Sequence, residues 1–341
     1  PCRRDSNQRA SGKTGAVQTY RLSIPPIQLT GELAKREYRM DQRIARRLNS
    51  LLSKVSPTMH SNLELSRFAR KYIVPNPPST PDAVKNMPLT RLDTPGIDLR
   101  ESDQLSYLKS LRSERHQAMF KVLREDAVIN RSGLGSAGIS NTFCNTPDAE
   151  IYASMILDRQ PSHLVEVGSG FSTLIARKAV EFAGNKTEIV VVDPFPRTDV
   201  RAVADRLELA PVEKTDLLDR SWSPNDILFI DSSHICRTRG DLPFLFCGLL
   251  PALPVGVVIH VHDIFLPYDY PNLYDGWCHT EQYLLACTLA HSRRYKVLMS
   301  THWMSRTHGS EMEQTFGPLS GTAASAPHHF GCSFWFEVCA F

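Results

Sequence analysis

The residues most able to do chemistry stand where short apolar runs end. The first is His163-Leu164-Val165-Glu166-Val167-Gly168-Ser169-Gly170-Phe171-Ser172-Thr173, with an acid two residues before a glycine turn. The second is Ile189-Val190-Val191-Val192-Asp193-Pro194. The third and fourth are Ile227-Leu228-Phe229-Ile230-Asp231-Ser232-Ser233-His234 and Val257-Val258-Ile259-His260-Val261-His262-Asp263. Glycine lets a backbone bend sharply and approach a ligand closely, and the helix that follows offers unpaired N–H groups. Carboxylates and imidazoles just beyond strand ends can bind hydroxyls, take up protons or hold a cation.

These residue types fit a nucleoside cofactor. Glu166 suits an ammonium, and Asp193 can accept both hydroxyls of a ribose. A dinucleotide fold would carry a third glycine after Gly168 and Gly170, and position 173 is Thr. The combination points instead to S-adenosylmethionine (SAM), whose amino-acid end carries an ammonium. The expected cofactor set is Glu166, Gly168, Ser169, Gly170, Phe171, Ser172, Asp193, Pro194 and Asp231. Asp231, His234, His262 and Asp263 are the expected catalytic set, since ligands of open α/β sheets bind beyond the carboxyl ends of the strands. Asp231, His262 and Asp263 offer oxygen and nitrogen donors, so Mg²⁺ or Mn²⁺ is considered there. Either His234 or His262 could alternatively act as general base. His260 alternates with His262 and is expected to point into a helix layer. The aromatic stretch Phe265–Pro271 with Trp277 could line an acceptor pocket or pack as a lid. Glu281 reads as ordinary first-turn helix electrostatics.

Elements of the right kind surround these residues. Short β-branched runs alternate with helical stretches from about residue 145, the pattern of βαβ units and a mainly parallel sheet. Strands are expected at 163–167, 188–193, 210–213, 226–231, 255–262, 295–300 and 332–338. Helices are expected near 148–159, 171–183, 198–207, 240–250 and 279–291. The last strand follows its predecessor without an obvious crossover helix, which suits an antiparallel edge strand. The expected fold class is α/β: a Rossmann-like, doubly wound, seven-stranded sheet with a helical or irregular N-terminal extension. The division is a flexible 1–30, a basic helical extension 31–143 with a Pro-rich arm at 74–98, and a SAM-binding domain 144–341. Helical periodicity marks 31–55 and 102–126 within the extension.

Composition narrows the class. The 341 residues contain 42% hydrophobic residues, enough for a sizeable core. Residues 1–143 hold 24 Lys+Arg against 13 Asp+Glu, and the remainder 15 against 23, which together give the formal net charge of +3. That asymmetry is read as a basic face solvated and docked on an acidic body, not as a nucleic-acid footprint. Ser11-Gly12-Lys13-Thr14 lacks the glycine a phosphate loop needs at position 7, which is Asn. The eight cysteines contain no C-x-x-C pair, which suits a reducing, cytoplasmic setting. No apolar run is long enough to span a bilayer, and the first 30 residues hold no signal-peptide core.

The motifs together resemble bacterial-type class I SAM-dependent methyltransferases. The resemblance rests on Val165–Thr173, Ile227–His234, Ile259–Pro271 and Glu281–Leu285, with Pro95–Arg100 and Gln104-Leu105 as a lead-in. It covers roughly residues 95–338. It implies methyl transfer to oxygen on a small-molecule or carbohydrate-like acceptor. Broader relatives hold Mg²⁺ with acids ending the fourth and fifth strands, which would be Asp231 and Asp263 here; His262 stands where those relatives often carry Asp or Glu. The rival readings are an NAD-dependent oxidoreductase and a non-catalytic binding protein that keeps the fold.

Overall fold

A computed structural model describes residues 91–92, 94–130, 138–141, 143–196, 199–274, 277–317 and 331–340. The expected flexible terminus 1–30, the basic helix 31–55 and most of the Pro-rich arm lie outside the described residues. So does His328-His329.

Helix α1 (Glu101–Ser110) and α2 (Glu114–Glu125) precede α3 (Asp148–Arg159). The helical periodicity expected over 102–126 is realised as two helices, parted by a turn at 111–113. Strand β1 (His163–Val167), helix α4 (Phe171–Ala183) and β2 (Glu188–Val192) form the first crossover. Strand β3 (Arg206–Glu208) is followed by β4 (Ile227–Ile230). A helix over 241–252 (α5), π-wound through Phe244–Leu249, leads to β5 (Val258–Val261). Then come α6 (Glu281–Ala290), β6 (Tyr295–Ser300), α7 (Thr301–Thr307), α8 (Gly309–Phe316) and β7 (Phe334–Val338).

The seven strands lie in the order β3-β2-β1-β4-β5-β7-β6. Pairs β1–β2, β1–β4, β2–β3 and β4–β5 are parallel, whereas β7 runs antiparallel to both β5 and β6. The antiparallel strand expected at the end of the chain is present, and it sits one place in from the edge, which β6 takes. Two sequence expectations fail on the β2–β3 side. No helix forms over the described part of 198–207, and the third strand lies at 206–208, while Val212–Lys214 is a 3₁₀ turn. Strand Arg206–Glu208 is short and half-exposed, so its apolar signal is weak.

The central strands are buried on both faces, as a parallel sheet between helix layers requires. Alternation sorts their side chains. Leu164, Ile189, Val191, Ile227, Phe229 and Val258 pack with α3 and α4 on one face. Val165, Val190, Leu228, Ile230, Ile259 and Val261 pack with α5 and α6 on the other. Helix α3 is apolar around much of its circumference, in keeping with its place under the sheet.

Asp148 at the start of α3 ties the two ends of the domain together. Its Oδ1 accepts hydrogen bonds from Thr301 Oγ1 (2.6 Å) and the Ser333 N–H (3.1 Å), and its Oδ2 accepts from the Cys332 N–H (2.9 Å). The chain therefore enters β7 clamped to α3 and to the start of α7. Asp148→Ala would leave the buried Cys332 N–H without its acceptor, at a cost of about 1–3 kcal/mol, and would remove the charge-assisted bonds to Thr301 Oγ1 and the Ser333 N–H, which keep each other as partners. The expected loss is about 3 kcal/mol in urea denaturation; an unchanged midpoint would show that the clamp is not a stability element.

Candidate functional site

Three acids are brought to one end of the adjacent strands β2, β1 and β4. Gly168 begins the turn after β1 with φ of +96°, and a Cβ there would meet the Asp231 carbonyl oxygen at 2.0 Å. Only glycine allows that approach of β1 to the end of β4. Gly170, with φ of +157°, faces open space: a Cβ there would meet nothing within 4 Å. An approachable backbone at the mouth of helix α4 is what a nucleoside cofactor needs.

Glu166 lies beneath this turn. Alternation places it on the face of Leu164, under α3 and α4, where it is fully buried. Its carboxylate accepts from Tyr152 Oη at 2.8 Å and from Thr173 Oγ1, which itself accepts from the Gly170 N–H. Glu166 thus fixes the first turn of α4. Burial lifts its carboxyl to about 7, against the hydrogen bonds from Thr173 and Tyr152 that favour the charged form. Asp193, also buried, accepts from Ser169 Oγ at 2.6 Å and from the Phe195 N–H at 2.7 Å. Ser169 and Asp193 therefore link the glycine turn to the end of β2. Phe171 and Ser172 begin helix α4 and are themselves buried, and Pro194 follows Asp193 at the strand end.

On the other side of the turn stands His234, 1% exposed and held at φ of +61°. Its Nδ1 meets Glu281 Oε2 at 2.8 Å, and its Nε2 meets Asp231 Oδ1 at 3.1 Å and Asp263 Oδ2 at 3.6 Å. Its carbonyl accepts from the Thr280 and Glu281 N–H groups, so one residue anchors the start of α6 by backbone and side chain alike. Burial works against a charged imidazole, but the hydrogen bonds to Asp231 and Glu281 and the charge of Asp263 raise it well above its usual range. Burial also raises Glu281 to about 7, with His234 opposing. Glu281 is therefore not a surface capping residue, as its position in a first helical turn suggested. It is a fully buried partner of His234. Its spacing from His234 along the chain gave no signal for this.

The expected metal trio is parted. Asp263 turns toward His234 and His279, while His262 turns toward Asp148 and Cys332; in each of these two groups the donor atoms lie within 4.8 Å of one another. Asp231, His262 and Asp263 do not form such a group among the described residues. Neighbours along a strand face opposite sides, and His262 continues the ladder through its N–H to the Ile230 carbonyl. It follows His260 to the α3 face, whereas Asp263 exits on the other side with φ of +56°. Burial opposes the Asp263 charge, yet His234, His262 and His279 hold its carboxyl below the usual range. His260 is fully buried, stacked on Phe229 at 4.0 Å and bonded to Ser333 Oγ at 2.8 Å. Of the aromatic loop, Phe265, Tyr270 and Tyr274 pack against one another, and Tyr274 Oη donates to Asp263 Oδ1 at 2.9 Å.

Glu166→Gln tests the buried carboxyl. Between the unfolded value of 4.5 and the folded value of about 7, the native chain holds the extra proton. Stability conferred at this position therefore falls as pH rises through that window. The variant should gain on the parent by up to about 3 kcal/mol between about pH 5 and about pH 8 in urea denaturation. A difference that does not change with pH would refute the assignment.

Residues 165–264 match a family described as a methyltransferase domain. A stretch of 55 residues is 40% identical to an uncharacterized protein of Archaeoglobus fulgidus, covering 16% of this chain and a quarter of that relative's length. Among solved structures, the chain is similar to the SAH-bound methyltransferase PaMTH1 of Podospora anserina, at 16% identity and a TM-score of 0.37. That alignment covers 71% of this chain and 96% of the other. It is similar to an O-methyltransferase from Bacillus cereus in complex with SAH, at 14% identity and a TM-score of 0.36, over 69% and 96%. The family match spans the glycine turn, Asp193, Asp231 and His262-Asp263, and the sheet order around it is Rossmann-like. Residues 165–264 of this chain thus match a methyltransferase domain, laid out on a Rossmann-like sheet.

Proposed function

We propose that this protein transfers a methyl group from SAM to an oxygen on a small-molecule or carbohydrate-like acceptor. The reading is carried by one observation: three adjacent parallel strands end in Glu166, Asp193 and Asp231 around a glycine turn that is open above Gly170. SAM, when bound, supplies a methyl group activated by a sulfonium. Asp193 would take the ribose hydroxyls. The backbone of Gly168, Ser169 and Gly170, with Phe171 and Ser172 at the head of α4, would take the amino-acid end. Glu166, beneath them, holds that turn in shape through Thr173.

The acceptor would lie at the rim made by Asp231 and Asp263, with His234 and His262 buried behind them on opposite sides. Oxygen becomes a competent nucleophile when its proton is taken as the new bond forms. The Nδ1 of His262 has no hydrogen-bond partner among the described residues, which supports this imidazole as the proton acceptor. Asp231 and Asp263 supply negative charge beside it, which stabilises the imidazolium that results. His234, fixed by Glu281, sets the position of both carboxylates. Cys144, Cys236, Cys247, Cys287, Cys332 and Cys339 are free thiols, which supports a cytoplasmic setting. Among the described residues no helix is long and apolar enough to cross a membrane.

Asp193→Ala should weaken SAM or SAH binding about 10- to 100-fold in calorimetric titration, the equivalent of charged hydrogen bonds worth about 1.5–3 kcal/mol. Asp231→Asn should leave that affinity nearly intact and lower methyl transfer from labelled SAM about 100-fold or more. Full affinity in the first, or full turnover of an acceptor in the second, would sink the reading.

A further inference from the structure

The rim beside the glycine turn carries a second cluster with a chemistry of its own. His234 is buried among the carboxylates of Glu281, Asp231 and Asp263, at 2.8, 3.1 and 3.6 Å. Glu281 takes the Nδ1 side of the ring, and the Asp231 and Asp263 carboxylates converge on the Nε2 side, where a cation would offset their negative charge. The same place holds a second imidazole. The ring of His279 stacks on that of His234 at 4.6 Å between centroids, and the rings of Tyr270, Tyr274 and Trp277 meet it edge-on. His279 is buried and fixed in orientation by that aromatic wall.

The distances are those of a ligand set. Donors about 2.1 Å from one ion stand about 3.0 Å apart on an octahedral edge and about 3.4 Å apart on a tetrahedral one. His234 Nε2 lies 3.1 Å from Asp231 Oδ1 and 3.6 Å from Asp263 Oδ2, near the octahedral length and slightly beyond the tetrahedral one, and His234, Asp263 and His279 bring their donor atoms within 4.8 Å of one another. The surroundings also match. A metal-binding imidazole characteristically gives its other nitrogen to a carboxylate. Here Glu281 occupies Nδ1 of His234 and leaves Nε2 toward the acids. Tyr274 occupies Oδ1 of Asp263 and leaves Oδ2 toward His234.

We propose that His234, Asp263 and His279 form a binding site for a first-row transition-metal dication of the Zn²⁺ and Co²⁺ kind, with Asp231 adjoining and Glu281 orienting His234. Two imidazoles among the donors favour such an ion over Mg²⁺, which prefers oxygen throughout. The competing group, Asp148, His262 and Cys332, is a poorer host. The Asp148 carboxylate already accepts from Thr301 Oγ1, the Ser333 and Cys332 N–H groups and Cys332 Sγ, which fills its lone-pair directions. This inference requires neither the acceptor nor methyl transfer. A chain that binds SAM but no Co²⁺ defeats it alone, and one that binds Co²⁺ but no SAM defeats only the reading of function.

The test is a titration of the EDTA-stripped full chain with CoCl₂, followed by visible absorption. One equivalent should bind, giving d–d bands without a thiolate-to-cobalt charge-transfer band, and excess MgCl₂ should not displace it. His279→Ala and Glu281→Gln should each weaken Co²⁺ binding about tenfold or more, with circular dichroism confirming the fold. His279→Gln substitutes if the alanine variant does not fold. Cys332→Ser should leave the affinity unchanged. Absence of Co²⁺ binding, displacement by Mg²⁺, indifference to the change at His279, or a charge-transfer band lost in Cys332→Ser would each overturn the site.

Discussion

Successive residues on a strand must face opposite sides of a sheet, and the organisation of this site depends on that constraint. Helices cover both faces of the central strands, so each side chain has a definite destination. Glu166 goes under α3 and α4 because Leu164 does. His260 and His262 go to the α3 face because Val258 does, and Asp263 leaves on the side of Ile259 and Val261. Acids and imidazoles that read as one cluster along the chain are thereby divided into two environments. One is tied to Asp148 and Cys332, the other to His234, His279 and Glu281.

The turn after β1 joins those environments. Gly168 lets β1 approach Asp231 more closely than any side chain would permit, and this brings the end of β4 beside the mouth of α4. From there a chain of buried polar contacts spreads in both directions. Toward β2 it runs from Ser169 to Asp193. Toward the helices it runs from Gly170 through Thr173 to Glu166 and Tyr152. On the β4 side, Asp231 meets His234, and His234 meets Glu281 at the start of α6. Buried polar groups are costly unless paired, so these links make the site's geometry part of the fold's stability.

The same economy explains why the strand ends can hold several ionisable groups without solvent. Asp263 stays charged among imidazoles, while Glu166 and Glu281, more deeply buried, sit near 7. Groups of one chemical type therefore differ in proton affinity through depth and partners alone.

The chain itself announced the parallel sheet, the glycine turn and the acids at strand ends, because those signals are local: apolar runs of strand length, glycine where the backbone bends, a carboxylate at a fixed offset. The lone antiparallel strand was legible too, from a connection with no obvious crossover helix. The helix near 198–207 and the strand at 210–213 misled, since a short, half-exposed edge carries little periodicity. Glu281 was misread as a surface helix charge, and the parts played by His279, Asp148 and Cys332 escaped notice, because each meets its partners only after the sheet is assembled. Glu281 lies 47 residues beyond His234, and Cys332 lies 184 beyond Asp148. Residue type and order determine which groups reach the rim. Only packing decides which of them touch, because that depends on the face each strand residue takes and on the loop or helix that closes over it.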